Sequence, residues 1–268
     1  MLDHQQIRWL LFDLDGTLLT TDKKVTERTL RDLEICRAKG IRIGVVTSRS
    51  KENAAQTIGK LHPDLVIASG GGIALYEGRV VYQADISVEE TSRFIAEARR
   101  ILGADAEITA DTDSGHYWNY KVDPAQIDPS WGKSIYTDYS DFHMRSMKLC
   151  IMTDSARKAH ELHQCFPDMD CVKFADVDSY KYSSKAATKE RALTACEEQG
   201  ILSLAETAAF GDDLPDIRML TMCGCGVAMG NALPEVKDAS DIVIGGNDEE
   251  GIAEYLETVF CHIFPKLS

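Results

Sequence analysis

A short apolar run that ends in two carboxylates constrains this chain more than any other feature. Arg8-Trp9-Leu10-Leu11-Phe12 contains no turn residue and reads as a buried parallel strand, and it passes directly into Asp13-Leu14-Asp15-Gly16-Thr17. Side chains alternate along an extended segment, so Asp13 and Asp15 share one side while Leu14 takes the other. Negative charge at the rim of a buried sheet is unfavourable unless something offsets it. A solvated acidic turn would explain Asp-x-Asp alone. The glycine and threonine that follow, and the partners further along the chain, argue against that reading.

The same pattern recurs. A loop over Gly16 to Lys24 leads to a helix predicted from about Thr26 to Ala38, with Thr26 as N-cap and Gly40 as stop. Ile41–Val46 reads as a second strand ending in Thr47-Ser48-Arg49-Ser50, with a helix starting near Lys51. Leu65–Ala68 is a third, ending in Ser69-Gly70-Gly71-Gly72. Strands separated by helices predict βαβ units and a parallel sheet, and in open sheets of this kind ligands bind at the carboxyl ends of the strands.

The rhythm then breaks. Ile73–Tyr76 and Arg79–Gln83 flank Glu77-Gly78 and read as a hairpin. From about Ala84 to Ser184 the pattern is mixed: a helix near Val88–Leu102, short segments near Ala106–Asp111 and Tyr117–Val122, and a Pro- and Asp-containing stretch over Asp123–Trp131. A strand at Met147–Met152, a helix at Ala156–Cys165 and strands at Cys171–Ala175 and Ser179–Ser183 follow. The βα rhythm resumes with a helix from about Lys185 to Gln199. Strands at Thr207–Phe210, Gly224–Met229 and Ile242–Ile244 come next, then a terminal helix through about Phe260 capped by Asp248. The predicted architecture is α/β. A Rossmann-like parallel core spans 1–83 and 185–268, and an inserted α+β unit spans 84–184.

The chain has 268 residues, a net charge of −14 and a pI near 4.9. That balance speaks against general affinity for nucleic acid or an anionic membrane, yet leaves room for a locally positive site. No stretch has the length of a signal h-region or a membrane span. The eight cysteines have no CxxC spacing, so free thiols in a reducing cytoplasm are expected.

The ordered set of strand ends resembles the haloacid dehalogenase (HAD) phosphohydrolases, and more narrowly their Cof-type branch with a large cap inserted after the third core strand. DLDGTLL at the start, TSR after the second strand, K-x-x-A-L at Lys189–Leu193, GDDLPDIRML at 211–220, GVAMGNA at 226–232 and DEEGIAEYL near the end carry the resemblance, which runs almost end to end. It implies a phosphatase acting on a small phosphorylated metabolite. A sugar phosphate is the first expectation, with a nucleotide-like or cofactor phosphate also open, and the protein is expected as a monomer or homodimer.

The resemblance also implies roles. Asp13 is the nucleophile that forms an aspartyl-phosphate, which splits one slow displacement into two easier steps. Asp15 is the general acid and then the base. Opposite pKa displacements follow if a cation sits on Asp13 and none on the Asp15 carboxylate. Carboxylates and a phosphate dianion repel by about 1 kcal/mol per pair at 4 Å in water, and by about 4 at an effective dielectric of 20. That demands a metal, and Mg²⁺ suits an all-oxygen site. Its implied ligands are Asp13, the Asp15 carbonyl and Asp212, with Asp216 in support. Gly16, Thr47 and Ser48 would hold phosphate oxygens at a strand-to-helix turn whose N-terminus favours anions. Lys189 would neutralise phosphoryl charge, with Lys185 as the competing choice.

Two positions depart from the family pattern. Pro215 stands where an Asn is common, and Gly70 stands where Asn-Gly is common, so two amides expected on the substrate side are missing. In the inserted unit, His116, Tyr117, Trp118, Asn119 and Lys121 form a polar-aromatic cluster suited to a leaving group, or simply a strand with partly buried aromatics. A phosphomutase of the same superfamily and a phosphometabolite-binding protein with little turnover are the competing functional readings.

Overall fold

A computed structural model describes residues 6–120, 134–174 and 177–260. Strand β1 (Trp9–Phe12) is fully buried, as its unbroken apolar sequence requires. Helix α1 (Glu27–Ala38) starts at Thr26, whose side chain accepts from the Thr29 amide. Next come β2 (Arg42–Val46), α2 (Ala55–Leu61), β3 (Leu65–Ala68) and the hairpin β4 (Ile73–Tyr76) and β5 (Arg79–Gln83). The inserted stretch holds α3 (Val88–Leu102), β6 (Ile108–Asp111), β7 (His116–Trp118), β8 (Ser134–Tyr136), β9 (Lys148–Met152), α4 (Ala156–Cys165), β10 (Met169–Lys173) and β11 (Ser179–Ser184). The chain then returns through α5 (Lys189–Glu198), β12 (Thr207–Gly211), α6 (Ile217–Met222), β13 (Cys225–Ala228), α7 (Pro234–Ala239), β14 (Ile242–Val243) and α8 (Gly251–Val259).

Two sheets result. The first has the order β14-β13-β12-β1-β2-β3-β4-β5 and is parallel from β14 to β3, with the hairpin added antiparallel at one edge. Strand β1 lies between β12 and β2, with Leu11 opposite both Ala209 and Gly44. The second sheet has the order β10-β11-β9-β6-β7-β8 and is antiparallel except for β7 with β8. Each sheet has its own apolar core. The second is built around Phe94, whose ring lies 5.4 Å from Phe166 and 4.9 Å from Tyr182.

Several boundaries differ from the sequence reading. Helix α2 begins at Ala55 rather than near Lys51, because 51–54 forms turns whose Asn53 carbonyl accepts from the Arg49 side chain. Helix α5 begins at Lys189 rather than Lys185, with the Thr188 hydroxyl accepting from the Arg191 amide. Asp248 does not cap the terminal helix. It accepts from the Thr21 amide and hydroxyl, and Glu250 enters α8 in the left-handed conformation. Strand β8 and helix α7 were not anticipated. The expected elements over Val122, Asp123–Trp131 and Ala175, and also Lys121 and Cys261, lie outside the described residues. No helix among the described residues is long and apolar enough to cross a membrane, and the described cysteines are free thiols.

Candidate active site

Parallel strands bring their carboxyl ends to one edge, so segments far apart in sequence meet there. Asp13 follows β1 and keeps the ladder by donating its amide to the Phe210 carbonyl at 3.0 Å. Thr47 follows β2 and donates its amide to Ile67 at 2.8 Å. Gly16 turns with φ of +78°, and a Cβ there would stand 2.2 Å from Asp212 Oδ2, so both conformation and space exclude a larger residue. The Thr17 hydroxyl donates to Asp212 Oδ1 at 2.7 Å, and Asn231 Nδ2 donates to the Gly16 carbonyl at 2.8 Å.

Asp13, Asp212 and Asp216 converge, with carboxylate oxygens within 4.8 Å of one another. Lys189 Nζ donates to Asp13 Oδ1 and to Asp216 Oδ1, each at 2.6 Å. Burial lifts the Asp13 carboxyl well above its ordinary pKa; Lys189 pulls it down only in part, and Asp216 and Asp212 add to the rise. Asp212 is pushed up to about 6, chiefly by burial and by Asp216 and Asp213, against the Thr17 hydrogen bond. Burial works against the Lys189 ammonium, but Asp13 and Asp216 outweigh it and raise its pKa. One ammonium therefore does not offset three carboxylates. The donors are all oxygen, and such a set fits a hard divalent cation of the Mg²⁺ kind. Asp216 is also the post that holds the acidic loop, since its Oδ2 accepts from the amides of Asp212 and Asp213 at 3.0 and 3.2 Å.

Asp15 differs from its expected setting. Arg49 Nε and Nη2 grip it at 2.6 and 2.7 Å, and Lys23 Nζ adds a contact at 2.7 Å. Burial works upward on this carboxyl, but Arg49 and then Lys23 outweigh it and lower its pKa. Within the chain alone, burial holds the Asp13 carboxyl up while Arg49 and Lys23 hold the Asp15 carboxyl down; the order expected from the sequence depends on a metal cation on Asp13.

Thr47 is buried at the site's edge, and its hydroxyl accepts from the Arg49 amide at 3.1 Å. With α2 starting only at Ala55, the turn at Thr47-Ser48 gains no helix N-terminus. Lys185 is not part of the site, for its Nζ donates to the Pro167 carbonyl at 2.9 Å. Pro215 is exposed in the single 3₁₀ turn after Asp213.

The second sheet meets this edge with its polar face. Period-two alternation puts Ile108, Ala110, Leu149, Ile151, Tyr180 and Tyr182 toward the apolar core with α3 and α4. Asp111 and Lys148, paired across β6 and β9, face the other way. They form an ion pair at 2.8 Å, and His116 Nδ1 stands 2.5 Å from the other Asp111 oxygen. Lys148 Nζ donates to the Ser48 carbonyl at 3.0 Å and Ser69 donates to Asp111 at 3.3 Å, joining the two sheets. Of the polar-aromatic cluster, His116 and Trp118 share this face. Tyr117 packs on the apolar core, and Asn119 bonds the backbone of Ile108 and Ala106.

Sequence reasoning missed Thr17, Lys23, Arg49, Asp111 and Lys148. Thr17 and Arg49 stood inside quoted motifs, and their partners Asp212 and Asp15 are what reveal them. For Lys23, Asp111 and Lys148 no sequence pattern gave a signal.

Comparison with known proteins agrees with the geometry. The family model for haloacid dehalogenase-like hydrolases matches residues 10–256. A protein of Cronobacter sakazakii named HMP-PP phosphatase is 26% identical, over 91% of this chain and 93% of its own. A haloacid dehalogenase-like hydrolase from Bacteroides thetaiotaomicron has a solved structure that superposes with a TM-score of 0.85 at 22% identity, covering 95% of this chain and 100% of that one. A structure described as a HAD subclass IIB sugar phosphatase superposes with a TM-score of 0.77 at 22% identity, covering 96% and 100%. With the family model spanning Asp13, Lys189 and Asp212 together with the inserted unit, the chain belongs to the haloacid dehalogenase-like hydrolases and is a phosphohydrolase of their Cof type.

Proposed function

We propose that the protein is a Mg²⁺-dependent phosphatase that hydrolyses a small phosphorylated metabolite through an aspartyl-phosphate on Asp13. The observation that carries this reading is the Lys189 ammonium bridging Asp13 and Asp216 at 2.6 Å beside Asp212. Asp13, Asp212 and the Asp15 carbonyl would hold the metal, with Asp216 in support. When bound, Mg²⁺ would screen these carboxylates from the phosphate dianion and draw charge from its oxygens. An Asp13 oxygen attacks phosphorus, and the bond to the leaving oxygen breaks as that oxygen takes the Asp15 proton. Asp15 then removes a proton from water, whose oxygen displaces Asp13 and releases inorganic phosphate. The acid half of this role requires the Arg49 and Lys23 contacts to give way as substrate enters, since both favour the carboxylate. Lys189 stays charged throughout and faces the phosphoryl oxygens, while Gly16, Thr47 and Ser48 line the phosphate.

Residues 1–83 and 185–268 form the catalytic core in this reading, and 84–184 form a cap that chooses the substrate. The relatives' names support a metabolite ester: one is a sugar phosphatase and one an HMP-PP phosphatase. A sugar phosphate is the first choice. Free thiols and the acidic charge balance support a cytoplasmic protein without nucleic-acid or membrane partners.

A panel of phosphate esters assayed with and without Mg²⁺, beside Asp13→Asn, tests the reading. Metal-dependent release of inorganic phosphate by the wild type alone is expected. Turnover retained by Asp13→Asn, or no turnover of any ester, would overturn it. Isomerised sugar phosphate in place of inorganic phosphate would make the protein a mutase.

A further inference from the structure

Among the described residues, one ammonium on the polar face of the second sheet has no counter-group. Lys181 on β11 lies opposite Cys150 on β9, so it is a diagonal neighbour of Lys148 on the same face. It is only partly exposed, and among the described residues it has no ion-pair or hydrogen-bond partner. Its Nζ stands 3.4 Å from the position a Cβ would take at Gly70, in the loop at the carboxyl end of β3. Gly70 itself has φ of +70°. Asparagine tolerates that conformation, so the backbone does not explain the missing amide. The space beside Lys181 is what the glycine leaves.

The surrounding charges are unequal. Lys148 is satisfied by Asp111 at 2.8 Å and by the Ser48 carbonyl at 3.0 Å. Asp170 shares the Lys181 face from β10, opposite Ser183, but forms no ion pair with it. Lys189 is engaged by Asp13 and Asp216. Burial and then Lys148 lower the Lys181 pKa, with Lys189 adding to the effect, while Cys150 and then Asp170 offset them only in part. A partly buried ammonium with no acceptor is unfavourable, and an incoming anion removes the penalty.

We infer that Lys181, in the room left by Gly70, binds a second anionic group, a phosphate or a carboxylate, on the leaving portion of the substrate. The inference rests on the phosphatase reading for its direction. In-line attack by Asp13 sends the leaving group away from that carboxylate, and the polar face of the second sheet, which carries Lys181, meets the same strand edge at Ser48 and Ser69. Preferred substrates are then phosphate esters bearing two acidic groups.

Matched pairs test this: glycerol phosphate against phosphoglycerate for the carboxylate, and fructose monophosphate against fructose bisphosphate for the phosphate. The wild type is expected to favour the doubly acidic member of at least one pair by about tenfold or more in kcat/KM. Lys181→Met should erase that preference and leave the singly acidic esters within about threefold, while Lys181→Arg keeps most of it. Equal loss on both members, or no preference in the wild type, overturns the inference. Calorimetric titration of the same esters into Asp13→Asn, with and without Lys181→Met, reads the preference as Kd without turnover. A preference in Kd without any hydrolysis upholds the subsite and sinks the phosphatase. Hydrolysis without a preference does the reverse. Thermal melts of each variant show whether a loss is one of folding.

Discussion

Asp13, Asp212 and Asp216 crowd around one lysine, whereas on the facing sheet Asp111 alone meets Lys148 and His116, with Lys181 close by. Both clusters are buried and both contain a lysine–aspartate contact shorter than 3 Å. Their titration nevertheless runs in opposite directions. Burial lifts Asp13 and Asp212, and the single ammonium does not bring them back. Burial also works upward on Asp111, but Lys148 and His116 outweigh it and hold this carboxyl well below the ordinary range. The sign of the local surplus decides what each cluster lacks. The first is short of a cation and the second of an anion, which are the two things a metal-assisted reaction on an acidic ester would bring.

The largest expected effect breaks the first cluster. With Asp13 as the proposed nucleophile, Asp13→Asn should lower kcat by about a thousandfold or more and should not lower the thermal midpoint, because burial, with Asp216 and Asp212 adding to it, disfavours the carboxylate that is lost. Initial rates and melting curves check both halves. Next comes the second cluster, where Asp111→Ala strands Lys148 without its counter-charge. Breaking such a buried pair should destabilise the fold by about 3–5 kcal/mol in urea titrations, and adding Lys148→Met should return part of the loss.

The second cluster also carries a pH signature. The folded pKa of Asp111 lies below its unfolded value, so its stabilisation is whole above about pH 3.9 and is lost as pH falls through the folded value. The stability gap between wild type and Asp111→Asn should therefore close as pH falls below about pH 4. A smaller effect separates the clusters by metal. Mg²⁺ at a hundred times its Kd should add about 2.7 kcal/mol of stability, an increment that Asp212→Ala abolishes and Asp111→Asn retains. Smallest is Thr17→Val, which removes the donor that orients Asp212. It should weaken half-saturation by Mg²⁺ about tenfold with little change in the melt.

The two clusters were not equally legible in the sequence. Asp13, Asp15, Asp212, Asp216 and Lys189 sit at strand ends or helix starts within spaced motifs, so a local pattern announced them. The parallel core followed from the same βα rhythm. Asp111 and Lys148 belong to short strands of an irregular α+β stretch, and their pairing depends on antiparallel register that no local signal encodes. The grip of Arg49 and Lys23 on Asp15 was hidden for a similar reason. Arg49 reads as one polar residue of a turn, and only the adjacency of β1 and β2 brings it to the carboxylate. The sequence extends helix α5 back to Lys185 because Lys185, Ala186 and Ala187 are strong helix formers. The Thr188 cap settles its start.

The position of β1 has a consequence for how the molecule is made. Leu11 pairs with Gly44 on one side and with Ala209 on the other, so a strand made before both of its neighbours waits for the second until the whole stretch between β2 and β12 has been synthesised. An open edge of that kind invites wrong partners during the interval. The second sheet is translated in between and has a core of its own. Once folded it brings the flanking segments together, as the 2.7 Å hydrogen bond from the Tyr82 hydroxyl to the Ala186 carbonyl shows. The span to be closed is then a short link and no longer a long flexible loop, which reduces the entropy lost when β12 docks. Pulse-labelled hydrogen exchange during refolding should find the amides of β9 and β11 protected before the Asp13 amide acquires its Phe210 partner.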